Sequence, residues 1–572
     1  MPWYVLGVSM VATTFSIDTP NLVSDITRQN GIAGNWVWWA FLFTGMLTVF
    51  VYAKLWRRSD VMTDIEFYEI RYSGKPAAFL RGFRALYLGL FFNIVIMASV
   101  TLAAIKVGNV MLNLSPLEVI LIAGGVTVIY SSLGGLLGVL ITDFILFILA
   151  MLGSIAAAYY AVNLPQIGSL QNLFSHPNVA DKLSLFPDFN NWELALTVFI
   201  IPVAVQWWSV WYPGAEPGGG GYVAQRMLAA KNEKHAMGAT LFFNFAHYAL
   251  RPWPWIIVAL ASLIIYPELS MIKEALPHVQ ESIVRHDMAY PAMLTILPSG
   301  LLGLVIASLI AAYMSTMSTS LNWGASYVVN DFYKRFLKPE ASEKELVFIG
   351  RLSTVFMMII ASSFALFLES SLNAFNVLLQ IGAGTGLLFI LRWFWWRINS
   401  YSEITAMIVS FLIALGFLFV GNYHNEQIKI LMETGIDRAS AAIQVGAFKT
   451  YEELLIGVTI TTISWLVVTF TTKPANEETL VRFCKLVNPG GMGWRKVINN
   501  AELKGHTFSD EDKKSNLPLG ILAMFLGIVS VYGLLISVGY WLYSNYLLAS
   551  VLTIMVVISS SIIFKLWPKL NK

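Results

Sequence analysis

Apolar runs of roughly 20 residues, the helix length that spans a hydrocarbon core of about 30 Å, recur along the whole chain between shorter polar segments. The pattern predicts an all-α polytopic membrane protein with fourteen membrane helices. We place these helices near residues 3–27, 35–53, 85–110, 116–133, 137–163, 192–225, 237–266, 298–330, 348–368, 373–391, 404–421, 452–471, 517–543 and 548–568.

The first and sixth of these helices are interrupted where a spanning helix is normally continuous. The first contains Asp18, Thr19 and Pro20 near its middle, and the sixth contains the segment PGAEPGGGGY. Such breaks free backbone groups that lipid cannot satisfy, so they must face protein or a water-filled cavity. Breaks that lie five helices apart indicate a transporter of five-plus-five inverted repeats with its site at the breaks. The alternative is a proline kink and a glycine-rich loop between two shorter helices.

The eighth predicted helix carries a dense group of hydroxyl side chains in an otherwise apolar stretch. They are Ser315, Thr316, Ser318, Thr319 and Ser320. Helical spacing places the first four on one stripe with Ala312, whereas Ser320 lies off the stripe and is assigned to packing. Neutral oxygens at membrane depth suit a hard monovalent cation such as Na⁺. The alternative is that the hydroxyls bond to carbonyls of their own helix or allow close helix packing.

A few charged residues fall within apolar segments, and each is a candidate for function because charge is costly in a membrane. Asp143, in the fifth helix, is a candidate cation ligand, proton site or member of an ion pair, unless it lies at the interface. Arg251, in the segment ALRPWPWII, is either sheltered by tryptophan rings or extends to the interface. His247, one turn earlier, is more typical of a packed residue than of a proton relay. Lys106 and Glu216 are the other candidates.

Composition excludes a water-soluble protein, since 57% of the residues are hydrophobic, 12% are charged and the mean hydropathy is +0.65. With a cytoplasmic amino end, the inner segments hold 28 of the 37 Lys and Arg residues, against seven in the outer segments. The positive-inside rule therefore predicts a plasma (inner) membrane protein with both termini in the cytoplasm. Cys484 is the sole cysteine and lies in an inner loop, which excludes a disulfide within the chain.

Motifs of enzymes and of nucleic-acid-binding proteins are absent from the sequence. Gly134 and Gly135 are interpreted as a tight turn between the fourth and fifth helices, because no phosphate-binding lysine follows them. The polar segment 472–516 resembles a cytoplasmic loop and no signalling module. We therefore expect a transporter and not an enzyme, with a small-molecule solute and the lipid bilayer as its partners. We expect no nucleic acid and a monomer or weak homo-oligomer.

Three segments resemble the sodium/solute symporter family, which includes sodium–glucose, sodium–proline and sialic acid symporters. They are YSSLGGLLGVLITDFI at the fifth helix, YVAQRMLAAK at the end of the sixth, and AAYMSTMSTSLNWGASYVVNDFYKRF at the eighth. The resemblance implies a ten-helix transport core over residues 1–400 and additional membrane helices over 401–572. It also implies sodium-coupled symport by alternating access, with a sugar or sugar derivative favoured as the solute. An amino acid, a carboxylate or proton coupling is the alternative.

The resemblance also implies roles for individual residues. A main sodium site would use the carbonyls of Ala12, Phe15 and Ala312 and the hydroxyls of Ser315 and Thr316. A second sodium, held by some members only, would use Asp143, Ser318 and Thr319, so the coupling ion Na⁺ numbers one or two. The solute site or its gate would include Ser16, Asp18, Thr19, Trp38, Tyr222 and Gln380.

Three departures from the family pattern bear on these expectations. Trp38 stands where sugar-transporting members have a glutamate, and Leu146 stands where a polar residue is usual. The helix that usually precedes the first core helix is also missing, which implies an inverted amino end or a shortened chain. The solute pocket is therefore expected to differ from that of the glucose transporters.

Overall fold

The structure is a computed structural model that describes residues 1–210, 216–277, 279, 281, 284–368, 382, 384–508 and 516–570. Its elements are helices joined by turns and loops, and no strand occurs in these ranges. The helices that build the membrane domain and its inner loop are α1 (Trp3–Thr14), α2 (Thr19–Asn30), α3 (Ile32–Ser59), α4 (Gly74–Leu112), α5 (Pro116–Val162), α6 (Trp192–Ala204), α7 (Gly221–Leu228), α8 (Glu233–Ile265), α9 (Ala289–Thr295), α10 (Ser299–Leu337), α11 (Glu343–Ala365), α12 (Gly386–Leu391), α13 (Ser400–Glu433), α14 (Thr450–Thr471), α15 (Glu477–Val487), α16 (Arg495–Leu503), α17 (Leu517–Leu542) and α18 (Tyr546–Leu570).

Ten helices of the described chain are long and apolar enough to cross a membrane. The first predicted helix is the broken pair α1 and α2, and the sixth is the broken pair α6 and α7. Most of the tenth predicted helix lies outside the described residues, which include α12 at its end. Four long helices, α13, α14, α17 and α18, follow the core, as predicted.

The fourth and fifth predicted helices form one helical segment, α5, that folds back on itself at Gly135. This glycine has φ 53° and ψ −166°, a conformation that other residues rarely adopt. The Tyr130 hydroxyl contacts the Thr142 hydroxyl, although twelve residues of straight helix would separate them by about 18 Å. The glycine pair therefore makes the tight turn that the sequence predicts, and the two arms of α5 run back along each other.

The broken helix α1–α2 lies at the centre of the bundle. Helix α1 packs against α5, α8 and α10, and its residues from Leu6 to Thr13 are buried. The second arm of α5 and α10 approach closely, because a methyl group added at Gly153 would lie 2.2 Å from Ser308 Oγ. These close approaches bring the acid of the fifth helix and the hydroxyls of the eighth helix to the same depth.

The inner loop between α14 and α17 is a packed unit, in its described part, and not a loose connection. Helices α15 and α16 lie against the core, and the Trp494 indole donates a hydrogen bond of 2.8 Å to the Trp393 carbonyl. The Arg71 guanidinium lies over the rings of Phe483 and Trp494, at 5.4 and 4.9 Å from their centroids. Cys484 is buried in α15. The loop therefore stabilises the end of the core where α12 meets α13.

Candidate functional site

The break in the first helix is joined to the eighth helix by a hydroxyl. Helix α1 ends at Thr14, and the next residue, Phe15, has non-helical torsions of φ −86° and ψ 73°. The break frees carbonyls of the last turn from their normal helical partners. The Thr316 hydroxyl of α10 donates to one of them, the Thr13 carbonyl, at 2.8 Å. Thr316 thus contacts the broken turn itself.

Asp143 is fully buried and accepts hydrogen bonds from two helices. The Ser9 hydroxyl of α1 donates to its Oδ2 at 2.5 Å, and the Ser315 hydroxyl of α10 donates to its Oδ1 at 2.6 Å. The acid therefore does not lie at an interface, which was the alternative left open by its sequence position. It ties α1 and α10 together one turn from the break.

A buried arginine shares this cluster. Arg226 Nη2 of α7 lies 3.9 Å from the Asp143 carboxylate and donates to Thr319 Oγ1 at 2.9 Å. The same nitrogen donates to the Ser9 hydroxyl at 3.2 Å. Ser318 donates to the Ser315 carbonyl and lies 3.3 Å from the Tyr130 hydroxyl. The oxygens predicted for a second sodium are thus in contact with a guanidinium or with other hydroxyls.

The five residues predicted for the main sodium site lie around the break. Ala12, Phe15, Ala312, Ser315 and Thr316 are all buried. The Ala12 carbonyl accepts the Phe15 amide at 3.0 Å, and the Ser315 hydroxyl is turned towards the acid of the fifth helix and not towards the break. Thr316 therefore contacts α1 directly. Ser315 belongs to the predicted main sodium site, but its hydroxyl is bonded to Asp143, a residue of the predicted second site.

An aromatic and basic group lies on the other side of the break. The Trp38 indole stacks on Tyr248, with centroids 6.0 Å apart, and meets the His247 ring edge-on. His247 Nδ1 lies 3.0 Å from the Thr14 hydroxyl and 2.6 Å from Arg251 Nη2. Trp38 is thus held near the last turn of α1, where a solute contact was predicted.

The remaining predicted solute residues are only partly gathered at this point. Thr19 begins α2, and just before it Ser16 Oγ and Asp18 Oδ1 are buried with no hydrogen-bond partner in the described part of the chain. Tyr222 is buried on α7, and Arg226 lies 5.9 Å from the centroid of its ring. Gln380 lies outside the described residues, so its predicted contact stays a prediction.

Buried carboxylates with polar partners lie beside the second break. Glu216, just before α7, forms an ion pair with Arg84 of α4. Beside it, Asp64 accepts the Gly221 amide at 2.7 Å and the Tyr327 hydroxyl. Burial raises the pKa of the Asp64 carboxyl to about 7, and the nearby Glu216 adds to the shift. These contacts connect α7 and the segment before it to α4 and α10.

A model of the sodium:solute symporter family matches residues 1–410 of the chain, which is more than half of its length. The chain belongs to the sodium:solute symporter family. Membership confirms the predicted function class, a sodium-coupled symporter with a small-molecule solute and sodium as coupling ion. The membrane-spanning helices agree with a multi-pass membrane protein.

Known relatives are transporters of similar length. The chain is 25% identical over 434 residues to a sodium/glucose cotransporter of Vibrio parahaemolyticus, covering 73% of this chain and 78% of that protein. It is 23% identical over 518 residues to sodium/myo-inositol cotransporter 2 of Sus scrofa, covering 84% and 73%. A substrate-bound, outward-open Na⁺-coupled sialic acid symporter has a TM-score of 0.60 at 20% identity, covering 83% of this chain and 91% of that one. This likeness confirms the predicted fold, the inverted-repeat core with its additional helices.

Three residues of the site were not predicted. Ser9 and Thr13 lie in an apolar stretch of α1 whose hydroxyls were not weighed, although they lie one turn apart and face the same side. Arg226 falls within the quoted segment YVAQRMLAAK but was not considered as an intramembrane charge. The sequence does indicate a role for Arg226, because a charged residue between a broken helix and an apolar helix is costly unless it is paired.

We predict strong coupling between Asp143 and Arg226 in stability. Replacing either partner alone leaves a buried charge without compensation, so Asp143→Ala and Arg226→Leu should each cost about 3–5 kcal/mol. The double variant should cost much less than the sum of the two. Thermal unfolding of the purified protein in detergent measures all three variants.

The exposed pair of Glu477 and Lys504 provides the control, because exposed pairs couple weakly. Single and double alanine variants of this pair should change the melting temperature little. Additive effects of the Asp143 and Arg226 replacements would contradict the assignment of a compensated buried pair.

Proposed function

We propose that the protein imports a small sugar derivative together with Na⁺, and that Na⁺ binds where α10 meets the break in α1. The observation that carries the proposal is the contact between the Thr316 hydroxyl and the Thr13 carbonyl. Hydroxyl and carbonyl oxygens are the ligands that a hard monovalent cation prefers. The ligands in this proposal are the carbonyls of Ala12, Phe15 and Ala312 with the hydroxyls of Ser315 and Thr316.

The proposed role of the ion is to fix the broken helix. In the described structure, α10 contacts the last turn of α1 through one hydrogen bond, from Thr316 to the Thr13 carbonyl. A bound Na⁺ would draw several of these oxygens from both helices towards one point. The solute residues Ser16, Asp18, Thr19 and Trp38 adjoin the same break, so ordering it would complete their arrangement. By linkage, the solute must then strengthen Na⁺ binding by the factor with which Na⁺ strengthens solute binding.

The proposal that the solute is a sugar derivative is supported by the relatives, whose names include glucose and myo-inositol. The aromatic face of Trp38 beside Tyr248 is suited to stacking on a sugar ring. Tyr222 is proposed as part of the gate, together with Gln380. The driving force would be the inward Na⁺ gradient, and the membrane potential would add about 2.3 kcal/mol at 100 mV for each net charge that crosses with the solute. The distribution of Lys and Arg supports cytoplasmic termini in a plasma membrane protein.

We propose one sodium ion per cycle. Arg226 already supplies a positive charge beside Asp143 and donates to Thr319. A second Na⁺ at Asp143, Ser318 and Thr319 would place two cations beside one carboxylate in a buried site, which is unfavourable. The alternative, proton coupling, would pass through Asp143 or His247, each of which contacts an arginine.

Thr316→Ala is expected to raise the Na⁺ concentration for half-maximal uptake about tenfold, because one ligand oxygen is lost. A tenfold change corresponds to about 1.4 kcal/mol, the size of one such interaction. The measurement is uptake of D-glucose, myo-inositol and N-acetylneuraminate into proteoliposomes with an inward Na⁺ gradient. Ser320→Ala, on the same buried helix but off the stripe, is the matched control and should leave Na⁺ activation unchanged.

Replacement of external Na⁺ by choline at fixed pH should abolish uptake. Uptake that persists in choline and follows pH would favour proton coupling. Equal Na⁺ activation in wild type and Thr316→Ala would overturn the site.

Equilibrium binding of ²²Na⁺ to the purified protein should approach one ion per chain. Thr316→Ala should lower its affinity, whereas Thr319→Ala should leave the number of ions at one. Two ions in the wild type, with the second lost in Thr319→Ala, would contradict the proposed count.

A further inference from the structure

Arg251 is a buried cation at the break of the first helix, and none of the described carboxylates lies within ion-pair distance of it. Its side chain is 1% exposed, so it does not extend to the interface. Among the residues that the structure describes, no Asp or Glu oxygen lies within 4.0 Å of its guanidinium. A guanidinium keeps its charge when buried, so the missing partner is costly.

The other buried arginines of the described chain are compensated in one of two ways. Four lie within 4.0 Å of a carboxylate; they are Arg81, Arg84, Arg226 and Arg392. Arg28 and Arg71 each donate to two backbone carbonyls at distances between 2.8 and 3.2 Å. Arg251 has neither arrangement, since its contact with the Val11 carbonyl is 3.4 Å long. Its buried Nε has no acceptor among the described residues, and although one nitrogen of Arg71, Arg84 and Arg392 shares this feature, those guanidiniums have the carboxylate or carbonyl partners given above.

Aromatic rings hold the guanidinium of Arg251 in place, and its Nε–H is left without an acceptor among the described residues. Its guanidinium lies over the rings of Trp255 and Phe15, at 5.3 and 5.9 Å from their centroids. The Thr14 hydroxyl accepts from Nη1 at 3.1 Å, and His247 Nδ1 lies 2.6 Å from Nη2. The two rings fix the plane of the guanidinium. Its polar contacts, in contrast, are a hydroxyl and an imidazole, and neither is a carboxylate. An uncommitted N–H of a fixed fork is suited to a carboxylate, which arginine binds in a bidentate manner.

We propose that the transported solute carries a carboxylate and that Arg251 binds it. The inference deepens the proposed function and rests on it, because it places the carboxylate beside the proposed Na⁺ site. Phe15 connects the two, since its carbonyl is a proposed ion ligand and its ring lies under the guanidinium. Carboxylate-bearing solutes include sugar acids and α-amino acids, and the shared chemistry is the carboxylate.

Charge balance at the break supports this class of solute over a neutral sugar. Asp18, the acid at the same break, has no donor to its Oδ1 among the described residues and forms no ion pair with Arg251 there. One Na⁺ with a neutral solute would therefore place a second positive charge near Arg251 in a buried site. A carboxylate on the solute would offset these charges. Ion and solute would then attract each other directly, which is a physical basis for their coupling.

The test compares solutes that differ only in the carboxylate. The pairs are D-glucuronate with D-glucose, D-galacturonate with D-galactose, and L-proline with L-prolinamide, within a wider panel of sugar acids, hydroxy acids and amino acids. Uptake into proteoliposomes and thermal stabilisation in detergent are measured in NaCl and in choline chloride. At least one carboxylate-bearing compound should act in NaCl only, at least tenfold more strongly than its uncharged counterpart.

Arg251→Gln should lower the apparent affinity for that compound about 10- to 100-fold, the loss expected for a charged hydrogen-bonded pair. Arg251→Lys, which keeps the charge but not the fork, should lose less. Folding of both variants is checked by size-exclusion chromatography and by the far-UV circular dichroism spectrum in detergent, which should match those of the wild type. The matched pairs in the panel separate sugar acids from amino acids, because only the class that is transported should show the difference between the carboxylate and its uncharged counterpart.

Two results would overturn the inference while sodium coupling stands. One is Na⁺-dependent uptake of a neutral hexose that Arg251→Gln leaves unchanged. The other is the absence of any Na⁺-dependent effect from every carboxylate-bearing compound of the panel. Loss of Na⁺ dependence for all compounds would instead contradict the proposed function itself.

Discussion

The interruption of the first helix within the membrane is the constraint on which the rest of the structure depends. Peptide groups between Thr14 and Thr19 lose their helical partners at a depth where lipid offers none. The protein satisfies one of the carbonyls with the hydroxyl of Thr316. A cation can replace such a hydrogen bond with several oxygen contacts at once. The break is therefore both a structural cost and the reason that a small ion can organise the site.

Buried charges around the break follow the same logic. Asp143 and Arg226 compensate each other between α5 and α7, and Glu216 and Arg84 do so at the inner end. Each pair connects a helix of the broken sixth span to a neighbouring helix. The charges thus act as contacts that set how α7 lies in the bundle, in addition to any role in binding. Arg251 differs because its compensation is incomplete, and we connect that difference with the solute.

Local patterns in the sequence predicted the parts of the site that depend on spacing within one helix. The stripe of Ser315, Thr316 and Thr319, the breaks and the turn at Gly135 are of this kind, because helical periodicity and glycine conformation are local properties. Pairings across helices were not predictable in the same way. Arg226 meets Asp143 through packing of residues 83 positions apart, and no periodicity encodes that contact.

The ends of helices also include features that local sequence predicts and features that depend on packing. The sequence predicts separate fourth and fifth helices, whereas the structure has one helical segment that reverses at a single glycine with no loop. The segment 472–516 has the sequence of a polar loop, and the structure adds that Trp494 and Phe483 pack it onto Arg71. Such packing joins residues that are distant in sequence. The presence of aromatic residues in the loop therefore does not show where in the core they pack.

Hydrogen–deuterium exchange of the peptide that covers residues 11–19 tests the central claim most directly. If Na⁺ draws the broken turn of α1 and the hydroxyls of α10 together, exchange in this peptide should slow in NaCl relative to choline chloride. A peptide from α17, remote from the break, should exchange equally in both salts. Exchange of residues 11–19 that does not depend on Na⁺ would contradict the account.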